Sequence, residues 1–368
     1  MRILVLAYGI KKVLSGRFKL LLNWSKGLNA KLVIANSNVS EKELHMLNLP
    51  QEYYNITKIS DLLDLMRNED YNYIFVDDRD ILLLNRSDIS NILKSKKVIT
   101  YVYPIKGLWA LWGLPLRNVM SRKIKWGKLI GRLLGYFILK NYAKIINKYS
   151  DIIVAQSYTA SGILRYSYGI FPDLVLYNPV DRNIFSPRVK ADEKFNSDYV
   201  VLYLGSGDGD TDISVLGKLC NVLRQYRLKV YTFGDRQKLK YLKNCDFEYL
   251  ELIPEQKLSD LYSKSKFTIV PQVDEPIGYV TLESISTGTP IISLYPDEGI
   301  VNGYNGLYGS DRLFIILLEK FINEVLTNFN LYNTYYTNAI KNSEKFDMTK
   351  LSRTLTTYLM YTDTKFEI

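Results

Sequence analysis

A chain of 368 residues has room for two domains, each with its own core, and 47% hydrophobic against 23% charged residues excludes a disordered polymer. One histidine, His45, argues against a histidine zinc site or a serine–histidine–aspartate mechanism, and two cysteines, Cys220 and Cys245, are too few for a disulfide framework or a cysteine metal site. A net charge of +10 favours an anionic partner, such as nucleic acid, anionic lipid or a phosphorylated substrate.

The first apolar run, Ile3 to Ala7, is too short for the apolar region of a signal peptide and reads as a buried strand. Further strands are expected at Lys31 to Ala35, Tyr73 to Val76, Val98 to Val102 and Ile152 to Ala155, with helices at Ser60 to Met66 and Asp88 to Leu93. His45 falls in an amphipathic stretch beside Leu44 and Leu47, where a surface or packing role is expected.

Arg117 to Lys148 holds much of the positive excess. Lys128, Arg132, Lys140, Lys144 and Lys148 recur at multiples of four and form a cationic stripe on a helix, opposite Leu129/Ile130, Leu133/Leu134, Phe137/Ile138 and Ile145/Ile146. Trp109 and Trp112 lie just before it. Two readings stand side by side: a helix that docks on an anionic membrane, and one that packs its apolar stripe on the sheet and solvates its lysines. No run reaches the roughly 18 uninterrupted apolar residues of a membrane span. The expectation is a cytoplasmic protein, soluble or peripheral on the inner membrane face.

Asn178 to Pro187 has two prolines and no period, and marks an interdomain connection. It divides the chain into 1–185 and 186–368, with the terminal helix expected to be able to return to the first domain. The alternation then restarts, with strands at Tyr199 to Leu204, Lys229 to Phe233, Phe267 to Val270 and Pro290 to Leu294. Helices are expected at Val215 to Tyr226, Lys257 to Lys264, Val280 to Thr287, Leu313 to Leu326 and Met348 to Tyr361. Repeated strand–turn–helix units of this kind make an α/β fold of two Rossmann-like domains, with parallel sheets facing across a cleft.

The chemistry concentrates in Glu275-Pro276-Ile277-Gly278-Tyr279-Val280-Thr281-Leu282-Glu283, which leads through Gly288-Thr289-Pro290 into the next strand. Gly278 lets a ligand approach the backbone, and the amides at Tyr279, Val280 and Thr281 open a helix toward an anion. Two carboxylates eight positions apart suit vicinal hydroxyls. This segment resembles the E-x7-E motif of the retaining GT-B glycosyltransferases, the glycosyl transferases group 1 family. The flanks match in order: Tyr231 to Asp235, Glu255 to Tyr262 with Ser265, and Asn302 to Gly306, and in the first half Ile152 to Ser157 and Tyr177 to Phe185.

The resemblance implies transfer of a sugar from a UDP- or GDP-sugar to a lipid-linked or glycan acceptor, with retention of configuration and no required metal. It makes Glu275 the contact to the donor sugar and Glu283 the contact to ribose, with Gly278, Tyr279, Val280, Thr281, Gly205, Gly234 and Pro254 around the donor. The family's histidine after the fourth strand is absent, and Tyr103 or Tyr101 stands there instead. The family's Arg and Lys after the first strand of the second domain are absent too; Gly205 to Asp212 carries Asp208, Asp210 and Asp212 and no cation. Lys218, Arg236 or a residue of the first domain is left to neutralise a diphosphate, and the aspartates read either as an exposed acidic turn or as a magnesium site. Other readings are a degenerate nucleotide-sugar-binding protein and a nucleotide-sugar epimerase. No helix-turn-helix or RNA-binding signature accompanies the positive charge, so nucleic acid is not an expected partner.

Overall fold

The computed structural model describes residues 1–10, 15–37, 39, 44, 49–80, 89, 91–92, 94–103, 141, 143–205, 211–251, 253–272, 277–309 and 311–365. They form two compact units, Met1–Tyr177 with Ser352–Ile368, and Asn178–Leu351.

The first unit opens with β1 (Ile3–Tyr8), α1 (Gly16–Gly27), β2 (Lys31–Ala35), β3 (Tyr53–Ile56), α2 (Ile59–Asn68), β4 (Tyr73–Asp77) and β5 (Lys97–Val102). It continues with β6 (Ile152–Ala155), α3 (Tyr158–Ile163) and β7 (Leu174–Val175). Among the described residues its sheet is parallel, in the order β3-β2-β1-β4-β5-β6-β7. β1 and β4 are buried over nearly their whole length, as β-branched and aromatic strands covered on both faces should be. α1 and β3 are among the elements that escape the sequence pattern. α1 buries Phe18, Leu20, Leu21, Leu22, Asn23, Trp24 and Ser25, so it has no polar face to give a period, and only its Ser15 cap marks its start. β3 is an edge strand of mixed polarity.

Of the basic run, only 141 and 143–148 lie among the described residues. Ala143 and Ile146 are buried in the core of the first unit while Lys144 and Lys148 are exposed. At this end, then, the apolar stripe packs inward. Trp109, Trp112, Lys128, Arg132 and Lys140 lie outside the described residues, as does His45. No described helix is long and apolar enough to cross a membrane.

The second unit runs α4 (Ala191–Phe195), β8 (Tyr199–Tyr203), α5 (Ile213–Gln225), β9 (Lys229–Phe233), a 3-10 turn over Arg236–Tyr241 and β10 (Phe247–Tyr249). Then come α6 (Glu255–Lys264), β11 (Thr268–Val270), α7 (Tyr279–Ser286), β12 (Ile291–Ser293) and β13 (Gly306–Tyr308). α8 (Asp311–Lys320) and α9 (Phe329–Ser343) lead to α10 (Met348–Lys365), whose residues from Ser352 onward belong to the first unit. The described strands form a second parallel sheet, β10-β9-β8-β11-β12-β13. Val200, Leu202, Leu216, Leu219, Phe267, Ile269, Phe314 and Phe321 centre its core. Cys220 of α5 and Cys245 are joined in a disulfide, a single bridge where the cysteine count had suggested no disulfide framework.

Candidate functional site

In each sheet the strand order reverses once, between β1 and β4 and between β8 and β11. Loops diverge at such a point and leave a crevice beyond the carboxyl ends of the strands.

In the second unit the loops after β8, β9 and β11 are drawn together there. Gly205 and Gly234 both have positive φ, and the Asp235 amide donates to Gly205 O at 2.8 Å. A Cβ on Gly234 would stand 2.4 Å from Gly205 O, so only glycine fits this close approach. Thr211 Oγ1 donates to Leu204 O at 2.7 Å, and the Asp212 amide donates to Pro271 O at 3.0 Å. Asp212 caps α5, accepting from the Ser214 amide at 2.8 Å; Asp208 and Asp210 lie outside the described residues. Pro254 is exposed at the start of α6, and its carbonyl accepts the Leu258 amide at 2.9 Å.

A buried cation stands at these strand ends. Lys238 is 5% exposed and donates to Leu204 O at 2.7 Å and to Thr211 Oγ1 at 3.2 Å, with Asp235 at 3.5 Å. It ties both ends of the 205–211 loop together. The cations named from sequence are elsewhere: Lys218 is exposed on α5, and Arg236 is exposed and pairs with Glu251. Lys238 was hidden among the lysines of an unremarkable basic stretch.

α7 is an interior helix, with Val280 through Ser286 buried. Its first-turn amides, at Tyr279 to Thr281, point out of its N-terminal end. The amide before them, Gly278, donates to Asp297 Oδ2 at 3.1 Å, and Asp297 Oδ1 accepts the Gly299 amide at 2.7 Å. A carboxylate of the protein thus already lies against the opening of this helix. Glu283 is 2% exposed, a buried carboxylate that raises the nearby Tyr262 phenol in concert with burial, the larger cause. Glu275 lies outside the described residues.

Beneath α7, Lys194 is fully buried and donates to Tyr262 O at 3.0 Å and to Thr289 Oγ1. Burial holds this ammonium well below its usual range.

In the first unit the crevice holds a buried ion cluster that the sequence did not reveal. Arg17, on the first turn of α1, donates to both oxygens of Asp77, to Asp80 and, at 3.0 Å, to Tyr8 O. Asp77 is fully buried and Asp80 is 2% exposed. Burial and the neighbouring Asp77 push Asp80 upward against the pull of Arg17. Tyr103 follows β5, its ring edge-on to Tyr101 at 5.8 Å and 5.9 Å from the Arg79 guanidinium. Tyr101 is a core residue, its phenol donating to Leu176 O at 2.9 Å.

No family model and no curated protein matches the chain. Solved structures do. HepE of Anabaena, in complex with UDP-glucose, superposes with a TM-score of 0.72 at 14% identity, over 98% of this chain and 100% of that one. The chain has the GT-B fold. Sucrose-phosphate synthase from Thermosynechococcus elongatus follows with a TM-score of 0.68 at 14% identity, over 99% of this chain and 100% of that one. An alpha-glucosyltransferase in complex with UDP gives 0.68 at 13% identity, over 98% and 100%.

Proposed function

We propose that this chain is a glycosyltransferase that moves a sugar from a nucleotide-sugar donor to a lipid-linked or glycan acceptor, with retention of anomeric configuration. The observation that carries the reading is Glu283: a carboxylate 2% exposed, on an interior helix that opens at the switch point of the second sheet. The two hydroxyls of a ribose diol can both donate to a carboxylate. The similar folds that hold UDP or UDP-glucose support the same assignment.

The second unit would then hold the donor, with Glu275 on the sugar hydroxyls, Glu283 on the ribose, and the backbone at Gly205, Gly234 and Tyr279 to Thr281 along the nucleotide and diphosphate. The first unit would take the acceptor, with Tyr103 as a hydrogen-bonding residue beside it. A phenol cannot accept a proton near neutral pH, so deprotonation of the acceptor falls to the leaving phosphate. Catalysis requires no metal in this reading; magnesium held by Asp208, Asp210 and Asp212 is a secondary possibility tested by the same assay. The cationic stripe through Lys140 and Lys144 would hold the protein on an anionic membrane beside a lipid-linked acceptor.

The test is a transfer assay with UDP- and GDP-sugars, with lipid-linked or soluble glycan acceptors, with or without magnesium and anionic vesicles. Acceptor-dependent nucleotide release is expected, abolished in Glu275→Ala, with the α or β configuration of the donor kept in the product. Near-normal transfer by Glu275→Ala would remove the assigned role. A second reading, a nucleotide-sugar binder without turnover, draws on Asp297, whose carboxylate lies where a donor's anion would sit. Donor binding with no transfer to any acceptor would favour it.

A further inference from the structure

The chain's two cysteines form a bridge that the donor reading leaves unused. It joins α5 to the segment after the 3-10 turn over Arg236–Tyr241. Its two ends differ. Cys220 is fully buried in the core of the second unit, while Cys245 is half-buried between exposed Asn244 and Asp246. The two arms that the bridge joins also line a cleft of about 450 Å³, bounded by Gly217 of α5 and by Lys240, Tyr241, Lys243 and Asn244. A Cβ on Gly217 would meet nothing within 4 Å, so the α5 wall is open there. Lys240 and Lys243 are exposed and put two positive charges on the cleft.

From Cys245, short backbone steps lead to the loop after β8. The Cys245 amide donates to Leu242 O at 3.0 Å, and the amide of fully buried Leu242 donates to Leu239 O at 2.9 Å. Lys238, one residue before, donates to Leu204 O and to Thr211 Oγ1, at the two ends of the 205–211 loop. Cys220 lies on α5, the helix into which that loop leads, under its Asp212 cap. The bridge therefore fastens the arm that carries Lys238 to the helix that follows the loop. Beside the bridge the arms meet through apolar packing and through an exposed hydrogen bond, Asn244 Nδ2 to Asn221 Oδ1 at 3.0 Å. A 3-10 turn that runs into irregular backbone is the kind of segment that opens locally when its tie is cut.

We propose that Cys245 is a thiol-exchange site, which takes a small anionic thiol from the cationic cleft, and that opening the bridge there weakens donor binding through Lys238. This rests on the reading of the second unit as the donor domain. The incoming thiolate attacks Cys245 Sγ, the S–S bond breaks, and Cys220 leaves as a thiolate and takes a proton. A second thiol then displaces the first from Cys245. Two thiols are thereby oxidised to one disulfide, while the two cysteines gain two electrons and two protons. The attack falls on Cys245 because Cys220 is sealed in the core. Cations on the cleft attract a thiolate that carries carboxylates. With the bridge open, the 236–245 arm opens locally, Lys238 releases the 205–211 loop, and only the closed fraction binds donor.

The test incubates the folded wild-type protein with reduced glutathione as the anionic thiol, and counts thiols by alkylation after an acid quench and unfolding. Calorimetry with UDP and GDP then follows the oxidised, reduced and re-oxidised protein. Glutathione should open the bridge in the folded protein. The reduced form should bind the preferred nucleotide about fivefold more weakly, as when about one-fifth of the molecules are closed, and re-oxidation should restore the affinity. Lys238→Met should bind weakly even when oxidised, with less than about a twofold further loss on reduction, since the two changes cut one path. A bridge that glutathione leaves intact until the protein unfolds overturns the exchange site. Equal affinity of oxidised and reduced protein makes the bridge a staple only and overturns the coupling, while leaving the donor domain standing; these wild-type arms decide alone if Lys238→Met does not fold. An oxidised protein that binds neither nucleotide overturns the donor reading, and the proposal falls with it.

Discussion

At the scale of single residues, buried charges mark where the molecule is most demanding, and Lys194 gives the sharpest consequence. Burial alone holds its ammonium below the usual 10.5, so the unfolded chain keeps this proton at pH values where the folded chain has lost it. Over that window the unfolded state binds more protons, and stability rises with pH up to about 10.5. Below the folded value the penalty is constant. Lys194→Met removes it, and Tyr262 O still accepts from Thr289 Oγ1, so no carbonyl is orphaned. Urea unfolding at pH 7 and pH 9.5 should show the variant as stable as the wild type or more so at pH 7, with a smaller rise toward pH 9.5. A steeper rise in the variant contradicts this account. Neither Lys194 nor Lys238 nor Arg17 could be picked out from the chain, since each finds its partners at a distance: Arg17 meets residues 60 and 63 positions away, and Lys194 reaches 95 positions to Thr289. Glu283 was singled out because its signal is local, a carboxylate eight residues after another across a glycine-containing loop; the structure adds that it is buried.

At the scale of elements, the strand–turn–helix units were legible wherever one face is buried and the other wet. α5 and α6 show this, each with buried residues at helical spacing and exposed lysine on the other face, Lys218 in α5 and Lys257 and Lys264 in α6. Among the elements missed, α1 is buried nearly all round, and α9 presents Tyr332, Tyr335 and Ala339 from a run of asparagines, threonines and tyrosines with little polarity contrast. β13 is three residues long, too short to show an alternation. Turns carry their own constraint. Gly234 has φ of +110° and would drive a Cβ to 2.4 Å from Gly205 O, so Gly234→Ala should cost about 2–3 kcal/mol of stability. Because the same turn aligns the loops after β8 and β9, donor affinity should fall with it. Chemical denaturation reads the first effect and calorimetry the second; an alanine that leaves both unchanged contradicts the close approach.

At the scale of the whole molecule, two parallel sheets with order reversals at β1/β4 and β8/β11 account for the likeness to GT-B structures that share at most 14% identity with this chain. Core patterning survives where identity does not, because a buried position accepts Val, Ile or Leu almost interchangeably. The disulfide is a feature of the second unit that composition could not pair with anything. It closes a segment of 25 residues that contains Lys238 and β9, and its loss should cost about 3 kcal/mol by the loop-entropy account. Thermal unfolding of Cys245→Ser, or of the wild type with and without reductant, should show that loss as a lower Tm; equal Tm values would mean the bridge does not constrain the unfolded chain.

In the proposed function, Glu283 holds the ribose of a nucleotide-sugar in the second unit. The most direct test is titration calorimetry of UDP-glucose and a GDP-sugar against the wild-type protein and Glu283→Gln. The account predicts saturable binding of one donor by the wild type and a loss of about 10- to 100-fold in Glu283→Gln, the worth of a charged hydrogen bond. Equal affinity in the two proteins, or no binding to either, would contradict it.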